Sequence, residues 1–368
     1  MNILITGSNG FIGKNLKERL SRVENVNIFT FNKENTLQEL ASYIEEIDFI
    51  FHLAGVNRPK EINEFYKGNS GLTKQLIELI EAANKRIPIL LSSSTQAEID
   101  NDYGKSKKKS ESLLRAYGEK NSVPIYIYRL PNVFGKWCRP NYNSVIATWC
   151  HNITHDISLQ VNDEKALLTL VYIDDVVDSF VEHLHDDATC LSCNINTIYQ
   201  KTLGEISQLL EAFKSNRSSL LIPPVGRGFE RALYATYLSY LPTNNFNYEL
   251  KGHSDERGTF YEVLKTVDSG QFSISTTNPG DVIRGHHYHN TKNEKFLLVK
   301  GEAVIELRHI NSDEIIEYRV SDKKMEIVEM IPGYTHNIKN ISDDVMILCI
   351  WANEVYDHDN PDTNYLEV

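Results

Sequence analysis

The sequence contains no apolar run approaching the roughly 18 residues that a membrane-spanning helix requires, no excess of basic charge, and few cysteines. Met1 leads directly into the apolar stretch Asn2–Thr6 with no basic leader, so neither a bilayer span nor export is expected. The formal net charge of −12 opposes nucleic-acid backbones and anionic membrane surfaces, so neither is an expected partner. Cys138, Cys150, Cys190, Cys193 and Cys349 form an odd, sparse set. They read as reduced thiols and place the chain in the cytoplasm. Cys190-Leu-Ser-Cys193 has the spacing of half a zinc site, but no second pair completes it, so two incidental thiols are expected.

What is present is ordinary globular composition, 41% hydrophobic and 24% charged over 368 residues, enough for two domains. The first half alternates apolar runs such as Asn2–Thr6, Asp48–Leu53 and Ile87–Ser93 with amphipathic stretches such as Phe11–Leu20 and Ser70–Asn84. That alternation predicts a parallel α/β sheet. Beyond Leu241-Pro242-Thr243-Asn244-Asn245 the texture becomes short alternating strands with Gly and Pro turns, an all-β signal. The expected domains are 1–245 and 246–368.

Gly7-Ser8-Asn9-Gly10-Phe11-Ile12-Gly13 follows the first strand and opens a helix, the setting in which glycines admit a dinucleotide pyrophosphate to a helix N-terminus. Leu53, Ala54 and Gly55, after a later strand, are expected to line the same cofactor. At the end of the second strand stand Thr30, Asn32 and Lys33, with no carboxylate until Glu34. A cation without an anion suits a 2′-phosphate, so NADPH is expected, held partly by Lys33.

Tyr103 and Lys107 sit one helical turn apart, where an ammonium can lower the phenol's pKa. Ser94 closes a preceding strand and can hydrogen-bond a substrate carbonyl. These residues, with Arg129–Gly135 and Val171–Val176, resemble the extended short-chain dehydrogenase/reductases over about residues 1–240. The resemblance implies a Rossmann domain in which Tyr103 protonates the reduced oxygen and Lys107 also holds the nicotinamide ribose. It makes Asn132, Asn143 and Ser144 candidates for contacting a nucleotide-linked sugar, and gives Asn69 and Asp174 loop-bracing roles. The related 4,6-dehydratases carry an Asp-Glu pair after the catalytic hydroxyl. Here Thr95-Gln96-Ala97 follow Ser94, so reduction is expected rather than dehydration.

In the second half, His287 and His289 are expected on one face of a strand, with Glu294 close behind and His336 far downstream. Three nitrogens and one oxygen suit a divalent transition metal; zinc is the first choice, with nickel, iron and manganese open. The H-x-H, Glu and G-x-x-H order resembles the cupins, which implies a jelly-roll domain. Asp255–Glu262 resembles the opening of deoxysugar 3,5-epimerase cupins, in which Arg257 and Arg284 would hold a substrate diphosphate. Tyr334, Glu262 and a metal-bound water remain open as the epimerising base.

In this domain order the chain resembles the bifunctional enzymes of bacterial capsule and O-antigen precursor synthesis. That implies a UDP-linked 2-acetamido-2,6-dideoxy-hexos-4-ulose, epimerised at C3 by the cupin and then reduced at C4. The alternative is a monofunctional reductase with a structural cupin. Cupins often pair through barrel edges, so a homodimer is expected.

Overall fold

The computed structural model describes residues 1–280 and 282–368. The chain forms two compact units, 1–210 with 232–241 and 211–231 with 242–368.

The first unit has strands β1 (Asn2–Thr6), β2 (Asn27–Phe31), β3 (Phe49–His52), β4 (Ile89–Ser94), β5 (Ile125–Leu130), β6 (Asn132–Phe134), β7 (Leu167–Tyr172), β8 (Cys190–Cys193) and β9 (Tyr199–Thr202). A six-stranded parallel sheet runs β2-β1-β3-β4-β5-β8, and β6-β7-β9 form a small second sheet. Alternate residues feed two cores. Ile3, Ile5, Phe49, Phe51, Tyr126 and Tyr128 pack on one face, while Leu4, Ile50, Ile89, Leu91, Ile125 and Ile127 pack on the other. Strands buried on both faces read as unbroken apolar runs, which is why this sheet was visible in the sequence. The Rossmann expectation holds. Strand order reverses between β1 and β3, so the loops after these two strands open side by side, where such sheets bind ligands.

The second unit has β10 (Leu221–Ile222), β11 (Gly252–Asp255), β12 (Gly258–Thr266), β13 (Gln271–Thr277), β14 (Ile283–Tyr288), β15 (Glu294–Lys300), β16 (Glu302–His309), β17 (Ile315–Ser321), β18 (Ile327–Met330), β19 (Tyr334–Asn340), β20 (Met346–Ala352) and β21 (Asn364–Tyr365). One sheet runs β10-β12-β13-β20-β15-β18 with β11 beside β12, and the other runs β17-β16-β19-β14-β21. Phe296, Leu298, Ile305, Leu307, Ile338, Met346 and Leu348 fill the core, giving the expected cupin-type all-β domain.

Two local expectations change. Cys190 and Cys193, read as separate thiols, are joined as a disulfide across β8. The helix expected from Ser70 is preceded by a π-helical turn, Lys67–Gly71, before the α-helix Leu72–Ala82. No helix among the described residues is long and apolar enough to cross a membrane.

Candidate functional site

The loop after β1 is built around close backbone approach. Gly7 has φ +74°, and a Cβ there would lie 2.8 Å from Ala54 Cα; a Cβ on Gly13 would lie 2.4 Å from the Gly7 carbonyl oxygen. Gly10 is the N-cap of the helix Phe11–Leu20, leaving its first N–H groups toward a cleft of about 1480 Å³. Gly7, Gly10, Phe11, Ile12, Gly13, Leu53 and Gly55 line this cleft. Ala54 supports it from behind, donating its N–H to the Thr6 hydroxyl at 3.2 Å. Lys33 is exposed at the end of β2 and outside the cleft lining. Its neighbour Asn32 is the residue that holds the glycine loop, accepting from Asn9 N at 3.0 Å and donating to Ser8 Oγ at 2.9 Å.

Ser94, Tyr103 and Lys107 line the same cleft. Asn101 caps the helix Asp102–Asn121, its Oδ1 accepting from Gly104 N at 2.7 Å, which sets Tyr103 in the first turn. The lowering by Lys107 expected from the spacing is not what the fold gives: burial raises the Tyr103 phenol above its ordinary pKa, and it is a hydrogen bond with Ser94 that opposes the rise. Lys107 is buried and donates to the Ser92 carbonyl at 2.9 Å. Its burial lowers the ammonium to about 8, with Glu111 pulling the other way.

Sequence reasoning missed the polar chain beneath this site. Ala54 N–H donates to Thr6 Oγ1, which pairs with His52 Nδ1 at 2.8 Å; His52 Nε2 pairs with Thr73 Oγ1 at 3.0 Å, and Thr73 donates to the Asn69 carbonyl at 3.0 Å. Since Thr73 gives its hydrogen to Asn69, it must accept from Nε2–H, and in the neutral ring Nδ1 is then the acceptor from Thr6. Burial, aided by the Lys107 charge, accordingly pushes the imidazole down to about 3. The Asn69 side chain clasps Val56, accepting from its N–H at 2.8 Å and donating to its carbonyl at 3.1 Å. Such contacts join distant segments and leave no local spacing to detect.

Asn132, Asn143 and Ser144 line the cleft beyond Tyr103. Asn132 donates to the Thr169 carbonyl at 3.3 Å, and Ser144 caps the helix Val145–Thr154 by accepting from Ala147 N at 3.3 Å. Trp137, Arg139 and Tyr142 also line it and were not singled out from the sequence. Trp137 has φ +69° with a half-exposed indole, and the Arg139 guanidinium stacks 5.3 Å from the Tyr142 ring. An aromatic and a cation close together after the Asn132 loop were the available signal. Asp174 pairs with Lys136 at 2.5 Å.

In the second unit the ligand-capable atoms of His287, His289 and Glu294 lie within 4.8 Å of one another. His336, the fourth expected ligand, has its ring 4.5 Å from that of His287 but stands outside this three-residue group. The simple alternation expected of β14 is interrupted. His286 is an extra residue between the pairs Gly285↔Asn337 and His287↔His336, with φ +60°, and β14 ends before His289. This bulge re-aims the strand, as bulges beside active sites do. Gly285 is required there, since a Cβ would lie 2.6 Å from the His336 carbonyl oxygen at φ +117°.

His289 Nε2 and His336 Nδ1 are buried with no hydrogen-bond partner, which in an apolar interior is costly unless a cation takes the lone pair. Burial pushes His336 down to about 3 and lowers His287, so both favour the neutral, ligating form. Burial opposes ionisation of Glu294, yet the adjacent His289 imidazole, Lys292 and His336 hold it at about 2. Neutral imidazoles around an ionised carboxylate fit a divalent cation.

The other cupin candidates are engaged elsewhere. Asp255 sits between Arg257, at 2.5 Å, and Arg284, at 3.6 Å, so one of their two charges is already matched. Arg284 Nε is buried without a partner. Glu262 pairs with Lys265 at 2.8 Å, and Tyr334 packs 5.1 Å from the His309 ring beside an apolar groove.

A family model described as the NAD dependent epimerase/dehydratase family matches residues 3–190, and one described as the polysaccharide biosynthesis C-terminal domain matches 253–364. A Pseudomonas aeruginosa protein, UDP-2-acetamido-2,6-beta-L-arabino-hexul-4-ose reductase, is 49% identical over 364 residues, covering 99% of this chain and 98% of that protein. The crystal structure of the capsular polysaccharide assembling protein CapF from Staphylococcus aureus matches with a TM-score of 0.93 at 46% identity over 100% of both chains. The UDP-glucuronic acid 4-epimerase of Bacillus cereus in complex with NAD, at 19% identity, covers 65% of this chain and 98% of its own with a TM-score of 0.56, a likeness of fold.

Proposed function

The chain belongs to the NAD-dependent epimerase/dehydratase family, and from that premise we propose that it is a bifunctional sugar-nucleotide enzyme. Its substrate is a UDP-2-acetamido-2,6-dideoxy-hexos-4-ulose; the cupin epimerises C3 and the Rossmann domain then reduces C4 with NADPH. The product is UDP-2-acetamido-2,6-dideoxy-L-talose, on the route to UDP-N-acetyl-L-fucosamine and capsule or O-antigen sugars. The names of the Pseudomonas and Staphylococcus relatives support the substrate class and the pathway.

The observation that carries the reductase half is the Ser94–Tyr103 pair beside Lys107, which is anchored on the Ser92 carbonyl at 2.9 Å. A reduced nicotinamide held in this cleft would supply the hydride for C4. Ser94 and Tyr103 hold the C4 oxygen, and the Tyr103 hydroxyl gives it a proton as negative charge develops. The Lys107 ammonium favours the phenolate left behind and offers donors to the nicotinamide ribose. Lys33, the cation nearest the end of β2, is assigned to the 2′-phosphate. Asn132, Asn143 and Ser144 are assigned to the nucleotide-sugar.

In the cupin, His287, His289, Glu294 and His336 would hold one divalent metal, with zinc our first choice. Such an ion supplies Lewis-acid polarisation of a carbonyl. The order of steps follows from chemistry. A proton at C3 is acidic only while C4 is a ketone, because the enolate spreads charge onto that oxygen. Loss of this proton and its return on the opposite face must therefore precede hydride transfer. Arg257 and Arg284 are assigned to the diphosphate.

We take the chain to be a cytoplasmic homodimer. β17 lies at a sheet edge with Ile315, Ile316 and Tyr318 exposed, a surface that pairing with a second copy would cover. The test of the whole reading is product NMR after incubation with NADPH and the UDP-4-keto sugar in deuterated water. Deuterium at C3 with a new alcohol at C4 is expected. An alcohol with C3 unlabelled and uninverted would leave a monofunctional reductase, and no NADPH oxidation would remove both activities.

A further inference from the structure

Asp362 follows Asn290 by 72 residues yet organises the turn between two candidate metal ligands. Its carboxylate accepts from three successive backbone N–H groups: Asn290 at 2.9 Å, Thr291 at 2.7 Å and Lys292 at 3.0 Å. It also accepts from the Asn290 amide and the Thr291 hydroxyl, each at 3.1 Å. This turn directly follows His289 and leads into Glu294.

The backbone carbonyl of the same residue is hydrogen-bonded to His289 Nδ1. A carbonyl can only accept, so Nδ1 must carry the ring's hydrogen. The lone pair that remains is on Nε2, the buried atom with no hydrogen-bond partner, 3.5 Å from Glu294 Oε2. The following residues continue the attachment. β21 pairs with β14 through His287↔Tyr365 and Tyr288↔Asn364, and Leu366 N donates to the His286 carbonyl at 3.0 Å.

We propose that Asp362 is a positioning residue of the metal centre, its carboxylate holding the 290–292 turn and its carbonyl fixing His289 with Nε2 as the ligating atom. The inference rests on the metal reading above. Outer partners of this kind orient ligands and set their tautomer, and their loss typically costs about 10–100-fold in metal affinity.

The test uses the full-length chain, freed of metal by chelation and titrated with Co²⁺, followed by its visible absorption, and with Zn²⁺ by competition against a chromophoric chelator. Asp362→Ala should weaken both metals about 10–100-fold. Asp359→Ala, which removes an exposed carboxylate of the same segment, should stay within twofold of the parent. A second arm is ¹⁵N NMR of the metal-free protein, with His289 assigned through His289→Gln. The parent should show Nδ1–H, and Asp362→Ala should lose that preference.

Unchanged affinity in Asp362→Ala with a native near-ultraviolet dichroism spectrum overturns the proposal. So does an Nε2–H tautomer in the parent, an outcome that needs no variant to fold. A parent that binds neither metal defeats the metal reading, while the tautomer measurement still decides whether the clamp exists.

Discussion

The Asn69 amide donates a buried 2.8 Å hydrogen bond to the Ser106 hydroxyl, which in turn donates to the Tyr103 carbonyl at 2.7 Å. One side chain therefore references both the cofactor loop at Val56 and the helix that carries the proton donor. Replacing Asn69 with Ala strands these buried groups, at about 1–3 kcal/mol for each left unsatisfied. A lower melting temperature and a raised Kd for NADPH are expected together, by calorimetry and fluorescence titration. A variant that loses stability but binds NADPH normally would restrict Asn69 to a packing role.

Tyr103→Phe keeps the ring, which packs 5.6 Å from Phe65, and removes only the hydroxyl. NADPH oxidation should fall by about 10²–10⁴, the usual worth of a positioned general acid. The Kd for NADPH should stay within twofold. Deuterium incorporation at C3 should continue, since the cupin is unaltered.

His52 ties stability to pH. Its folded pKa of about 3 lies far below the ordinary imidazole value of 6.5, so between those values the unfolded chain binds the extra proton. Its contribution is complete above pH 6.5 and declines as pH falls toward 3. Replacing His52 with Gln, which cannot titrate there, should flatten the acid limb of a pH–stability curve measured by urea denaturation. An unchanged slope would mean that His52 is not buried neutral.

Chelation should lower the melting temperature of the second unit, and Zn²⁺ should restore it, because a ligand that binds only the folded state stabilises by mass action. In Glu294→Gln the response to added metal should be lost, since the ionised carboxylate is what offsets the cation's charge. Identical melting with and without chelator would argue against a bound metal.

Lys33→Ala should reduce the ratio of kcat/KM for NADPH over NADH by about tenfold, the scale of one exposed charge-assisted contact. The measurement is initial rate with each cofactor. An unaltered ratio would move the 2′-phosphate contact elsewhere.

The legible parts were those written in local spacing. Gly7, Gly10 and Gly13 fall within one turn, Tyr103 and Lys107 within one helical step, and the β1, β3 and β5 runs are apolar because both faces are covered. The Thr6–His52–Thr73–Asn69 chain was hidden because each link crosses between segments and polar residues in apolar surroundings look like noise in a linear pattern. Asp255 illustrates a second kind of concealment. It stood beside Arg257 in the sequence, but only folding brings Arg284 to the same carboxylate. The bulge at His286 was invisible because strand alternation assumes an unbroken ladder.

That bulge sets how the imidazole cluster is aimed and not which side of the sheet it occupies. An unbroken ladder without His286 would still set His287 opposite His336, so the added residue leaves the pairing on either side in step and bends the strand locally at the ligand. Between Gly285 and His287, then, one surplus residue serves as a fine adjustment of ligand direction, and its removal should blunt metal affinity while leaving the sheet intact.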